Sequence, residues 1–309
     1  MISEASEGRP GLRLRLPGTS ANLGSGFDAV AVALDFHLEI DASPAPAFSI
    51  TAAGRDAARC SQLEDNLILA AYRKTLTEAG KPVLPLALNM VNGIPLGMGC
   101  GSSAAGRLAG IAMAVRFGEL QWDSDQILEA ASALEGHPDN VAACWLGGFV
   151  ACGSEEGVVR VARVAPPSNW RAIVVLPRTP LPTSKARAVL PDLYQRSDVV
   201  SNIQAVSLLG LAFAQGRGDL LKAAMSDRIH QPYRAPICPF LQPLLPLAGT
   251  SGILGVALSG AGPAVLVVVD GENRIKESSS AIRQAVSGLE EPELLICEFG
   301  SGQSGFQER

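Results

Sequence analysis

Between Pro95 and Ala105 the chain places Gly97, Gly99 and Gly101 in alternation and then sets Ser102 and Ser103 at the head of an alanine-rich run. Alternating glycines let a backbone take positive φ and approach a ligand closely. Leu86 to Val91 reads as a strand leading in, and Ala104 to Phe117, with Leu108, Ile111 and Val115 along one side, as a helix leading out. In that setting successive N–H groups, the positive end of a helix dipole and two hydroxyls converge on one point. The stretch therefore predicts a strand, loop and helix unit with an anion cradle suited to a polyphosphate and its metal. Taken alone it also fits an ordinary glycine turn.

The remaining bounds narrow the class. With 309 residues the chain is long enough for two domains and a substantial core. A net charge of −5 gives no support for nucleic acid or an anionic membrane as the main partner, so any phosphate must be held locally. Cysteines 60, 100, 144, 152, 238 and 297 form no close pair, and His37, His137 and His230 are the only histidines, which argues against a structural zinc site. Residues 1–10 carry no apolar h-region, and no apolar run approaches a membrane span. The expectation is a cytoplasmic protein with reduced thiols.

Taken in order, residues 1–10 read as a disordered tail and Leu12 to Leu16 as an alternating strand. The loop from Pro17 to Asp28 then offers Asn22 and Asp28, either as parts of a turn into a helix over Ala29 to Leu34 or as ligand groups. Residues 36–59 suit edge strands and a connection. Asn66 precedes a helix from Leu67 to Ala79, and Asp123 with Gln126 forms a capping box for a helix from Ser124 to Leu134. Glu129 lies off that helix's apolar face, as a solvated carboxylate or a metal ligand. Glu135 to Asn140 gathers His137, Asp139 and Asn140 at the helix end. After a joint at Pro166-Pro167 come a strand at Ala172 to Leu176, helices at Val199 to Gln215 and Leu220 to His230, and strands at Ile253 to Ala257 and Val265 to Val269. A helix from Arg274 to Val286 and a strand from Leu294 to Phe299 complete an α+β pattern, before a flexible tail.

Four stretches together resemble the GHMP small-molecule kinases: Pro17 to Asp28, Pro95 to Ala105, Glu135 to Val141, and Leu258 to Pro263. The first and third resemble the branch acting on L-homoserine, and the similarity runs from about residue 12 to residue 300. Cys100 and Gly106 depart from the family pattern without removing a polar ligand.

The resemblance implies a two-domain GHMP kinase fold. Residues 11–165 form an ATP-binding domain akin to the second domain of ribosomal protein S5, and residues 166–300 a ferredoxin-like domain, with residues 301–309 as the tail. It implies ATP-dependent phosphorylation of the homoserine hydroxyl in threonine biosynthesis, with ATP held by Pro95, Leu96, Gly97, Met98, Gly99, Cys100, Gly101, Ser102, Ser103, Ala104 and Ala105. Asn66 is placed near the adenine. Ser103 and Glu129 are implied as ligands of Mg²⁺. Asn22, Asp28, His137, Thr183, Arg187 and Arg234 are implied as the substrate pocket, the arginines as carboxylate clamps. Asp139 and Asn140 are expected to orient the hydroxyl as the catalytic pair, and Ser259 to Pro263 to pack against the first domain and stabilise the phosphate loop. A homodimer is a family-based expectation. The alternatives are a GHMP kinase for another small alcohol, mevalonate-like or a sugar, and a non-catalytic nucleotide-binding regulator on the same fold.

Overall fold

The computed structural model describes residues 11–300 and 305–308, so the expected tail at residues 1–10 lies outside the described residues. The larger of its two sheets is built on a long antiparallel hairpin of β1 (Leu12–Asn22) and β2 (Gly26–Pro44). Leu12, Leu14 and Leu16 are buried while Arg13 and Arg15 are exposed, as period-two alternation requires. β3 (Ser49–Gly54) runs parallel to β4 (Leu86–Asn92), β4 pairs with β2, and β5 (Phe149–Glu155) joins β2 to β6 (Val158–Val164). Around it lie α1 (Ala57–Cys60), α2 (Leu67–Glu78), α3 (Ser102–Phe117), α4 (Ser124–Glu135) and α5 (Asp139–Leu146). The Asp123 and Gln126 capping box is present on α4.

The second sheet has the order β10 (Glu293–Cys297), β7 (Trp170–Leu176), β9 (Val265–Asp270), β8 (Ile253–Leu258), antiparallel throughout. Its helices are α6 (Thr183–Ala188), α7 (Arg196–Gln215), α8 (Leu221–Ala224), α9 (Gln231–Arg234), α10 (Leu241–Leu244) and α11 (Ile275–Ala285). Ala172, Val174, Leu266 and Val268 face one core that also contains the buried side chains of the first sheet. Ile173, Val175, Val267 and Val269 face a second core under α10 and α11. The two halves thus share an interior. Phe213 of α7 stacks on Phe149 of β5 at 4.3 Å and meets Trp170 and Phe299 edge-on, a contact set that fixes α7 between the sheets. By length and composition α7 is apolar enough to span a membrane, yet Leu209, Ala212 and Phe213 are buried in this interior.

Four expectations change. Residues 36–59, expected to form edge strands and a connection, contribute Leu38 to Ala42 to β2, an inner strand paired with β1 on one side and β4 on the other. Ala29 to Leu34 lies in the middle of β2, because its backbone pairs with β1 on one side and its start pairs with β5 on the other. The expected helix from Leu220 to His230 is broken after α8 and resumes at α9. There the Asp227 carboxylate accepts the N–H groups of Ile229, His230 and Gln231 at 2.9, 3.0 and 2.6 Å, which competes with helix hydrogen bonding. Gly305 to Glu308, expected in a flexible tail, forms β11 antiparallel to β1, supplying that edge with partners. Residues 301–304 and 309 lie outside the described residues.

Candidate active site

The glycine loop is clamped from three directions. Thr19 of β1 donates its N–H to the Cys100 carbonyl at 3.0 Å, the Ser259 hydroxyl to the Gly99 carbonyl at 2.7 Å, and the Leu181 N–H to the Gly97 carbonyl at 3.0 Å. Glycine is required where the clamps close. A Cβ on Gly99 would lie 2.1 Å from the Ser259 carbonyl oxygen, and one on Gly101 1.9 Å from the Thr19 hydroxyl, both at positive φ. Gly101 is also the N-cap of α3, so the helix's first N–H groups and the Ser102 and Ser103 hydroxyls start where the clamped loop ends. The Ser259 to Pro263 turn packs against the first sheet's β1 as expected, with the Gly260 N–H donating to the Ala21 carbonyl at 3.0 Å.

Two cavities meet at Gly97, Ser102 and Ser103. The larger, about 520 Å³, runs between α2, β4 and α3 and is lined by Asn66, Met90, Asn92, Ile94 and Leu96, among others. Asn66 borders it with its amide already committed. The Asn66 oxygen caps the N–H groups of Ile68 and Leu69, and its nitrogen donates to the Cys60 and Gln62 carbonyls. Asn66 therefore shapes the cavity wall.

The smaller cavity, about 110 Å³, collects Asn22, Asp28, His137, Asp139, Asn140, Thr183, Arg187 and Arg234 around the loop. Asp28 reaches it from a left-handed backbone conformation stabilised by Asn22, whose side-chain oxygen accepts the Asp28 N–H at 3.0 Å. The Asn22 nitrogen donates to the Gly260 carbonyl at 2.8 Å. Arg187 grips Asp28 with both prongs, at 3.0 and 2.8 Å, and this bond holds the Arg187 pKa above its ordinary value. Arg234 is only 1% exposed. It donates to the Ala186 carbonyl, to the Gly260 carbonyl and to His230 Nδ1, and among the described residues no acceptor is bonded to its Nη2. Burial lowers its pKa, with Arg187 adding to the effect. The Phe27 ring lies beneath both guanidiniums, 5.6 Å from Arg187 and 5.3 Å from Arg234, and stacks on His230.

At the start of α5, Asp139 and Asn140 are buried. One Asp139 oxygen accepts from the Asn140 N–H at 2.6 Å and lies 2.5 Å from His137 Nδ1, while the Asn140 side-chain oxygen accepts the Thr19 hydroxyl at 2.7 Å. Asp28, His137 and Asp139 stand close enough to hold an ion. Both Asp28 oxygens, however, already face Arg187, and one Asp139 oxygen faces His137, so these carboxylate oxygens already have partners within the protein.

The two acids of α4 stand differently towards the phosphate loop. Glu129 lines neither cavity, whereas Glu135, at the last position of α4, borders the smaller one and accepts the Ser103 hydroxyl at 2.9 Å. A hydroxyl and a carboxylate side by side at the phosphate loop are hard oxygen donors of the kind magnesium takes. Glu135 also pairs with Arg107, which hydrogen-bonds Ser103. Thr19, Phe27, Arg107 and Glu135 touch the site residues and were given no individual role by the sequence reading. Glu135 opens the third matched stretch, and Thr19 and Phe27 lie inside the first, the signal that could have found them.

The chain is similar to known proteins over most of its length. Residues 66–148 match the model of the GHMP kinases N terminal domain and residues 211–288 that of the GHMP kinases C terminal domain. The chain is 45% identical over 255 residues to the homoserine kinase of Solibacter usitatus, covering 82% of this chain and 84% of that one. It is 36% identical over 294 residues to that of Thermus thermophilus, covering 95% and 97%. The crystal structure of homoserine kinase from Cytophaga hutchinsonii superposes with a TM-score of 0.83 over 99% of this chain and 100% of that one, at 23% identity, a likeness of fold.

Proposed function

This chain belongs to the GHMP kinase family, among the homoserine kinases, and from that premise we propose that it transfers the terminal phosphoryl group of ATP to the hydroxyl of L-homoserine. One observation carries the substrate assignment: a single small cavity joins the phosphate loop to an acid, Asp28, and two arginines, Arg187 and Arg234. A free amino acid is a zwitterion and needs both signs of charge within a few ångströms. The Arg234 fork takes the carboxylate through Nη2, Asp28 takes the ammonium, and Arg187 fixes Asp28. Neither mevalonate, which lacks the ammonium, nor a sugar uses this set.

Adenosine lies in the larger cavity, and the polyphosphate lies along the N–H groups of the glycine loop at the head of α3. Ser103 and Glu135, whose oxygens lie side by side, would hold Mg²⁺. When bound, the ion neutralises charge on the phosphate oxygens. Asp139 and Asn140, locked to each other and to Thr19, orient the acceptor hydroxyl towards the loop. In a loose phosphoryl-transfer transition state the bond to the leaving phosphate is largely broken before the nucleophile must lose its proton, so positioning contributes more than a strong base.

Purified protein incubated with ATP, Mg²⁺ and, separately, homoserine, mevalonate, galactose or shikimate tests the assignment through ADP release. Release that depends on homoserine and exceeds that with the other alcohols is expected. Equal release with all of them, or release only with another alcohol, would refute the zwitterion clamp.

A further inference from the structure

Arg107 is a cation at the phosphate end of the cleft that neither the nucleotide contacts nor the amino-acid clamp uses. It follows Ser103 by one helical turn on α3, so both side chains lie on the same helix face. Its Nη1 donates to the Ser103 hydroxyl and is ion-paired with Glu135 Oε2, the oxygen that also accepts the Ser103 hydroxyl. The Glu135 side chain is 11% exposed and that of Arg107 23%, so the pair is shielded from the solvent that weakens surface ion pairs.

This placement sets up an electrostatic problem and its solution. Glu135 is an anion beside the loop to which a polyphosphate must come. Unpaired, it repels the incoming phosphates. A divalent ion neutralises it, and so does Arg107, which belongs to the chain and is always present. We propose that Arg107 is a positioning residue and resident counter-cation of the phosphate site, aiming and neutralising Glu135 whenever no divalent ion is bound, and so giving the protein affinity for nucleotide that does not require the metal. The inference rests on the reading of Ser103 and Glu135 as the metal-binding pair. It predicts an asymmetry. Removing Arg107 exposes the polyphosphate to a bare carboxylate when metal is absent, but costs far less when the metal has taken over that carboxylate.

The test is ATP binding by isothermal titration calorimetry, in EDTA and in excess Mg²⁺, for the wild type, Arg107→Met and Arg107→Lys. The loss of one charge-assisted contact and the gain of a repulsion predict that Arg107→Met weakens metal-free ATP binding by about tenfold or more. Binding of the magnesium complex should change by less than about threefold on the same grounds. Arg107→Lys, which keeps the charge, should recover most of the metal-free affinity. Adding Glu135→Gln to Arg107→Met should also recover it, since the repelling anion is gone. Equal weakening with and without metal would show a merely structural role and overturn the proposal, as would no change in either condition. If Arg107→Met does not fold, Arg107→Gln gives the same comparison. A wild type that fails to bind the magnesium complex would instead refute the kinase reading itself, so the two failures are distinct.

Discussion

Arg187 and Asp28, 159 residues apart, meet in a two-pronged ion pair with separations of 3.0 and 2.8 Å, tying α6 to the start of β2. The pair does two things at once: it orients the carboxylate proposed to receive the substrate ammonium, and it joins the second sheet's helical layer to the first sheet.

Arg187→Met should therefore raise KM for homoserine by about 10- to 100-fold, the range expected for a charge-assisted pair, and leave KM for ATP nearly unchanged. Steady-state kinetics with each substrate varied in turn check this split. A rise in KM for ATP alone would remove Arg187 from the acceptor site.

Glu135 and Glu129 separate in the same way. Glu135→Gln should reduce kcat by about 10²-fold or more and raise the Mg²⁺ concentration needed for half-maximal rate, because a metal-bound carboxylate acts on the charge that develops in the transition state. Glu129→Gln should retain the wild-type rate within about twofold, as expected of a carboxylate outside both cavities.

Much of the site was legible in the chain, and its exceptions have physical causes. The glycine loop could be read because positive φ, a helix start and two hydroxyls are local properties of consecutive residues. The choice between Glu129 and Glu135 is not local. It depends on how α4 is rotated against α3, and in the structure the last residue of α4 is the one that reaches Ser103. The capping role of Asn66, which lines the larger cavity, follows from its place directly before α2, because a side chain at an N-cap is engaged by the helix it starts. Ala29 to Leu34 reads locally as helix-compatible, yet pairing with β1 and β5 overrides propensity. The break after Ala224 depends on where the Asp227 carboxylate turns.

Gly101→Ala tests the clamped loop. A methyl group there meets the Thr19 hydroxyl at 1.9 Å while the backbone stands at φ 73°, so both sterics and conformation oppose it. The variant should lose about 1–3 kcal/mol of stability in denaturant titration and bind ATP more weakly. The combination Thr19→Ser with Gly101→Ala removes a methyl group but retains the clashing oxygen, and should not rescue it.

His230 supplies an acid-sensitive element. It is buried, its Nε2 donates to the Gly24 carbonyl at 2.8 Å, and its Nδ1 accepts from Arg234 at 3.1 Å, which defines a neutral imidazole. Burial pushes its pKa down to about 4, with Asp227 partly opposing. The unfolded chain, titrating near pH 6.5, takes up this proton first on acidification. Its contribution to stability is therefore full above about pH 6.5 and is lost as the pH falls towards 4, by up to about 3 kcal/mol. Tm measured from pH 7 to pH 4.5 should fall more steeply for the wild type than for His230→Gln. Parallel curves would show that His230 does not contribute.

The most direct test of the central claim is ³¹P NMR of the wild-type protein with ATP, Mg²⁺ and L-homoserine. The account predicts a new phosphomonoester resonance growing in step with ADP, absent without homoserine and strongly reduced in Glu135→Gln. If the terminal phosphate of ATP stays in place, or appears only as inorganic phosphate, the cleft does not carry out this reaction.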